Sequence, residues 1–163
     1  MKKIQVNFQD IQLPAQFSWP AGSIFTSNQK CKKMNEQLAF YQNKLQFETD
    51  ASEIFQALEQ GENIVVLDVR QKEAFEKEHI PGAVSLPYKN MNPETTAHFD
   101  KSKTYVCYCN GVGCNASTKG ALNMTKLGFK AKELIGGITS WLQEDYASEG
   151  NLATYGIKMQ CAC

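Results

Sequence analysis

Arginine is nearly absent from this chain. Arg70 is the only one, and every other basic residue is lysine. A guanidinium is a rigid, permanently charged fork, so its retention at one place marks position 70 for a specific geometric job. Net charge is missing as well: 17 Lys and Arg balance 17 Asp and Glu. That balance, with no basic run, leaves no electrostatic footprint for nucleic acid or a membrane surface. No stretch is long enough and apolar enough to span a bilayer. The opening Met1-Lys2-Lys3-Ile4 starts like an export signal, but Asn7, Gln9, Asp10 and Gln12 interrupt any apolar core behind it. The expectation is a soluble, cytoplasmic chain.

What is present suits one folded domain with an appendage. The chain has 163 residues, with 42% apolar and 21% charged side chains, close to ordinary globular usage. It carries six cysteines, Cys31, Cys107, Cys109, Cys114, Cys161 and Cys163. A chain of this length does not need a disulfide framework, and without an export signal its thiols stay reduced. Catalytic, metal-binding or plain buried roles are expected instead.

The pattern of apolar residues divides the chain into three parts. Residues 1–33 show no sustained period and read as an extension. Residues 34–147 form the domain, and 148–163 a tail. A helix is predicted over about 35–45, with Leu38, Tyr41 and Leu45 on one face, and a short strand after Phe47. Asp50-Ala51-Ser52-Glu53 reads as a capping box, Asp50 capping and Glu53 returning the bond. The helix behind it runs to about Gln60 and stops at Gly61. Ile64-Val65-Val66-Leu67 is a continuous apolar run, as in a parallel strand covered on both faces. Gln71 to Lys77 reads as helix, His79-Ile80-Pro81-Gly82 as a turn and Ala83 to Leu86 as a short strand. Asn92-Pro93 predicts a small helix to about Phe99. A strand over Tyr105 to Tyr108 and a helix from about Ala116 follow. That helix ends at Gly128 with Phe129 folding back on Met124. A strand over Ala131 to Leu134 and a last helix carrying Ile138, Trp141 and Leu142 complete the pattern. Alternating strands and helices over 47–146 predict a three-layer α/β fold, with a mainly parallel central sheet and helices on both faces.

Sites in such sheets form at the carboxyl ends of strands. Cys109 stands at one, followed by the glycine-bearing loop Asn110-Gly111-Val112-Gly113-Cys114-Asn115 and then a helix. Free backbone N–H groups and the positive end of a helix dipole favour the thiolate, the reactive form of cysteine. Asp68 and Arg70 follow another strand and are expected nearby.

These residues resemble the rhodanese-like domain family. Leu67-Asp68-Val69-Arg70, Glu73-Ala74-Phe75, His79-Ile80-Pro81-Gly82-Ala83 and Leu86-Pro87 are similar to its first signature. The Cys109 loop resembles its active-site loop. Leu127-Gly128-Phe129 and Gly136-Gly137-Ile138-Thr139-Ser140-Trp141 resemble its closing signature. The resemblance covers about residues 47–146. It implies a single-domain sulfurtransferase that needs no cofactor or resident metal. Sulfane sulfur would pass from thiosulfate or a persulfide, through a Cys109 persulfide, to a thiol, cyanide or protein acceptor. Loop N–H donors would hold the anionic persulfide, with Gly111 and Gly113 letting the backbone curl.

The chain departs from the family in one respect. A typical loop of this family ends in an arginine or other basic residue, whereas this chain has Cys114 and Asn115. Lys119, on the following helix, is the nearest downstream cation. The change weakens thiosulfate binding and argues against the related cysteine phosphatases. Cys114 then reads either as a second thiol that exchanges with Cys109 or as a loop residue without chemistry. Two further functions follow: a non-enzymatic persulfide carrier that docks a partner, and a dithiol redox protein built on Cys109 and Cys114. Asp68 and Arg70 read as a hydrogen-bond hub behind the loop, the alternative being direct contact with an anionic substrate. Cys107 and Trp141 read as core, His79 as part of a turn and Cys31 as incidental. The Cys161-Ala162-Cys163 end reads as an inert terminus, with sulfur acceptance or soft-metal binding as alternatives.

Overall fold

The computed structural model describes residues 27–157, with side chains from Lys33 onward. Residues 1–26, the Cys31 side chain, Cys161 and Cys163 lie outside the described residues. The chain divides into two units, Met1–Gln37 and Leu38–Cys163.

Five strands form one parallel sheet: β1 (Glu48–Thr49), β2 (Ile64–Asp68), β3 (Val84–Ser85), β4 (Thr104–Tyr108) and β5 (Lys130–Leu134). Their spatial order is β1-β5-β4-β2-β3, with every ladder parallel. Helices α1 (Ser27–Phe47), α2 (Ala51–Glu59), α3 (Lys72–Lys77), α4 (Ala116–Lys126) and α5 (Gly137–Gln143), with a 3-10 turn over Tyr88–Asn90, complete the described elements. The expected α/β class with a parallel sheet is the fold observed.

Period-two alternation along the strands feeds two cores, one on each face of the sheet. On one face, Val66, Val106, Tyr108 and Leu134 pack with Ile54 and Phe55 of α2 and Ile138 and Trp141 of α5. On the other, Leu67, Val69, Tyr105, Cys107 and Cys109 pack with Met124 of α4 and with Phe129. Cys107 is thus core, and Trp141 is fully buried. Its indole N–H donates to Ala147 O at 2.9 Å.

Local chemistry sets the element ends. Asp50 accepts from the Glu53 N–H at 2.8 Å, but the Glu53 carboxylate does not return that bond. It accepts from the Thr49 hydroxyl at 2.7 Å, which outcompetes the reciprocal arm of the capping box. The Schellman ending is as expected: Phe129 N–H reaches Met124 O and Gly128 N–H reaches Thr125 O, with Gly128 at φ 82.

Two further predictions need correction. Residues 92–99 form turns rather than a helix. The Thr95 and Thr96 hydroxyls donate to the carbonyls of Asn90 and Asn92 at 2.8 Å each, an alternative to helical pairing. Helix α1 begins eight residues before the expected start, and its Leu38, Tyr41 and Leu45 face is exposed.

The chain beyond Ala147, set apart above as a tail, lies against the domain as far as Ile157. His79 and Glu149 exchange backbone bonds of 2.8 and 2.9 Å, and the Leu152 N–H reaches Lys77 O. The His79 ring stacks on Phe75 and bonds Phe75 O through Nδ1, a structural role within its turn.

Candidate active site

The strand after β2 lies on one side of it, and the strand after β4 on the other. Their connections leave in opposite directions and open a crevice at the carboxyl ends. Arg70 stands just beyond β2 and Cys109 just beyond β4, so the topology brings together two positions far apart in sequence.

Arg70 is the hub behind the loop. Its guanidinium pairs with Asp68, Nη2 lying 2.6 Å from Oδ2 and Nε 2.9 Å from Oδ1. Nη2 also donates to Glu78 O at 2.6 Å, and Nη1 to Asn110 Oδ1 at 3.1 Å. Asp68 is fully buried and takes a further bond from the Tyr108 hydroxyl at 2.7 Å. The fork therefore ties β2, the turn after α3 and the Cys109 loop together, which is the geometric job its rarity suggested.

The loop is held from the other side by α5. Ile138 N–H donates to Cys109 O and Thr139 N–H to Asn110 O, each at 3.0 Å. The Thr139 hydroxyl adds a bond to Asn110 O at 2.7 Å. This approach explains Gly137 at the start of α5, where a Cβ would lie 2.2 Å from Cys109 O, whereas a Cβ on Gly136 before it would meet the Ser140 side chain. Gly111 is small for the same reason, since a Cβ there would meet Thr139 Oγ1 at 3.0 Å. Gly113 takes φ 90, in the left-handed region.

Cys109 is 1% exposed, and its sulfur opens on a cavity of about 130 Å³. Sγ lies 3.2 Å from Cys114 O and 3.3 Å from Ser117 Oγ. Ser117 donates its own proton to Glu133 Oε1 at 2.8 Å, so its oxygen is left to accept from the Cys109 thiol. Thr118 donates to the same carboxylate oxygen at 2.9 Å. Ser117, Thr118, Glu133 and Thr139 did not stand out in the sequence. A signal was available for Glu133: it is a carboxylate near the end of a parallel strand, in register with Cys107.

Cys114 is the second thiol at the site, and both it and Cys109 are free. Burial pushes the Cys114 thiol up, but hydrogen bonds with the Ala116 backbone, the Cys109 thiol and the Asn110 backbone, together with the Lys119 charge, bring it below the ordinary thiol range. Lys119 itself stands on the exposed face of α4, its ammonium 5.6 Å from the Tyr88 ring centre. Asn115 is exposed and caps α4 without a side-chain bond. Val112 is 95% exposed at the loop tip.

The thiosulfate sulfurtransferase GlpE of Coxiella burnetii is 33% identical over 91 residues, which cover 55% of this chain and 81% of that protein. YrkF of Bacillus subtilis, provisionally named a sulfur carrier protein, is 30% identical over 87 residues, covering 53% of this chain and 45% of YrkF. The crystal structure of the BH2092 protein from Bacillus halodurans is 42% identical with a TM-score of 0.70. That match covers 74% of this chain and 88% of the other. The family model for the rhodanese-like domain matches residues 50–144, and the chain belongs to the rhodanese-like domain family.

Proposed function

We propose that the protein is a sulfurtransferase that carries sulfane sulfur as a persulfide on Cys109. The observation that carries this reading is the setting of Cys109: a sulfur at the end of the central strand, facing a small cavity, on a loop clamped by Arg70 and α5. The GlpE relative, named as a thiosulfate sulfurtransferase, supports the same chemistry. Cys109 reacts as the thiolate, its proton having passed to solvent; the Ser117 oxygen and the Cys114 carbonyl beside it hydrogen-bond the thiol before that step and do not take the proton. The thiolate then attacks the outer sulfur of the donor. The donor's S–S bond breaks, and sulfite or a thiolate leaves with the bonding pair. A thiol or cyanide takes the outer sulfur in the second step, and Cys109 leaves as thiolate. A compartment that keeps thiols reduced suits both steps.

A second reading rests on Cys114, whose thiol is lowered by hydrogen bonds with the Ala116 backbone, the Cys109 thiol and the Asn110 backbone and by the Lys119 charge, against burial. Cys114 attacks the inner sulfur of the Cys109 persulfide, forming a Cys109–Cys114 disulfide and releasing hydrosulfide. A reducing thiol then restores the pair. In this form the protein is a dithiol exchanger; a separate alternative, suggested by the name of YrkF for that relative, is a carrier that keeps the Cys109 persulfide and delivers its outer sulfur to a docked protein.

One experiment separates them. The reduced protein is incubated with thiosulfate, and separately with a low-molecular-weight persulfide, and followed by intact mass and peptide mapping. Sulfurtransfer gives a gain of one sulfur on Cys109 that a thiol removes. A gain from persulfide alone supports the carrier. No sulfur gain from either donor, with a Cys109–Cys114 disulfide formed under a mild oxidant, supports the redox reading and overturns the first.

A further inference from the structure

The cavity beside Cys109 has a negatively charged wall. Glu133 lines it together with the cysteine loop and the Gly136–Gly137 turn. Its carboxylate is fixed by the Ser117 and Thr118 hydroxyls. Neither nearby cation lines the cavity, although the Lys119 charge reaches the Cys114 thiol on its wall. Arg70 is engaged with Asp68, Glu78 O and Asn110 behind the loop, and the Lys119 ammonium lies against the Tyr88 ring. The charge of Glu133 is felt by the neighbouring sulfur, since burial and then this carboxylate push the Cys107 thiol up to about 12.

We infer that Glu133 is a charge filter on the sulfur donor, disfavouring oxyanion donors such as thiosulfate and favouring a persulfide borne on a thiol with a neutral or cationic neighbouring group. The inference rests on sulfur uptake by Cys109, as proposed above. Thiosulfate must bring a dianion into a cavity lined by a fixed carboxylate, with no arginine in the loop to offset it. Screening from solvent is incomplete in a small, partly closed cavity, so like charges there repel more than in water. A persulfide carrying an ammonium brings less negative charge, and its cation meets Glu133 favourably. In both cases Cys109 takes the outer sulfur and the remaining fragment departs with the electron pair, so no oxidant or reductant enters.

The test measures single-turnover loading of Cys109 by intact mass, with thiosulfate and with cysteamine persulfide, in the wild type and Glu133→Gln. Glutamine keeps an oxygen to accept from Ser117 and Thr118 while removing the charge. The expected result is roughly a tenfold rise in the thiosulfate rate, equivalent to about 1.4 kcal/mol, with no rise for cysteamine persulfide. Independently of any variant, the wild-type thiosulfate rate should climb between about 0.01 M and about 0.15 M salt, as the screening length falls from about 30 Å to about 8 Å. A thiosulfate rate that changes neither with Glu133→Gln nor with salt, while Cys109 still loads, overturns the filter and leaves sulfurtransfer standing. Failure of both donors to load either protein overturns the filter and sulfurtransfer together.

Discussion

At the scale of single residues, the three described cysteines near the loop have separate environments. Cys107 points into the core on the α4 face, with its thiol pushed up to about 12 by burial and by Glu133. Cys114 is partly exposed, and its thiol is lowered. Cys109 lies between them in sequence, buried but opening on the cavity. Alkylation depends on the thiolate fraction and on access. With limiting iodoacetamide at pH 7, Cys114 should react at least about tenfold faster than Cys107, read by peptide mapping. Because the Cys114 thiol is lowered, its rate should level off at a lower pH than that of a free cysteine. Cys107 should stay unmodified in the folded protein through pH 9. Equal labelling of Cys107 and Cys114 would contradict this assignment.

At the scale of elements, the site depends on how closely α5 meets the end of β4. Gly137 combines φ 55 with a clash that a Cβ would make against Cys109 O. Gly82 has a similar φ of 71 but open space around the added atom. Gly82→Ala should therefore cost only the left-handed strain, about 1–2 kcal/mol. Gly137→Ala should cost more, about 3 kcal/mol or above, because the helix must also move off the loop. Urea unfolding of the two variants gives the comparison. Gly137→Ala should also slow sulfur loading of Cys109, whereas Gly82→Ala should not.

At the scale of the whole molecule, the described chain from Ser148 to Ile157 closes over the α3 turn. The Ser148 hydroxyl donates to the Glu78 carboxylate at 2.7 Å, as does that of Thr154. Asn151 N–H reaches Glu76 O, and Ala147 N–H reaches Ile157 O. Glu78 O in turn receives Arg70, so this segment supports the turn on which the hub rests. A chain ending at Ala147 should melt well below one ending at Ile157. A loss of about 2 kcal/mol would lower the midpoint by roughly 6–8 °C in a domain of this size. Calorimetry of the two truncated proteins measures it, and equal midpoints would show that the segment contributes nothing.

Much of this molecule was legible in the order of its residues. The alternation of apolar strands and helices gave the α/β class, because strand and helix periods are set by local geometry. Leu127-Gly128-Phe129 gave a Schellman ending, because only the residue after the cap needs a left-handed φ. The hub role of Arg70 was readable because a lone guanidinium among lysines signals a fork-shaped bond pattern. The small helix after Asn92 was misread, because the same threonines that tolerate a helix also bond to the carbonyls that would propagate it. The exposed face of α1 was equally beyond reach, since periodicity shows which residues share a face and not what covers it. The strand order, the clamp of α5 on the Cys109 carbonyl and the placing of Glu133 beside the sulfur were decided only by the tertiary structure. Each joins residues distant in sequence, and nothing local in either segment specifies its partner. The sequence by itself determined that a cysteine stands at a strand end before a loop without arginine. The folded chain decided which charge shares a cavity with that cysteine, because parallel β4 and β5 set Glu133 in register with Cys107 and Ser117 links its carboxylate to the Cys109 sulfur.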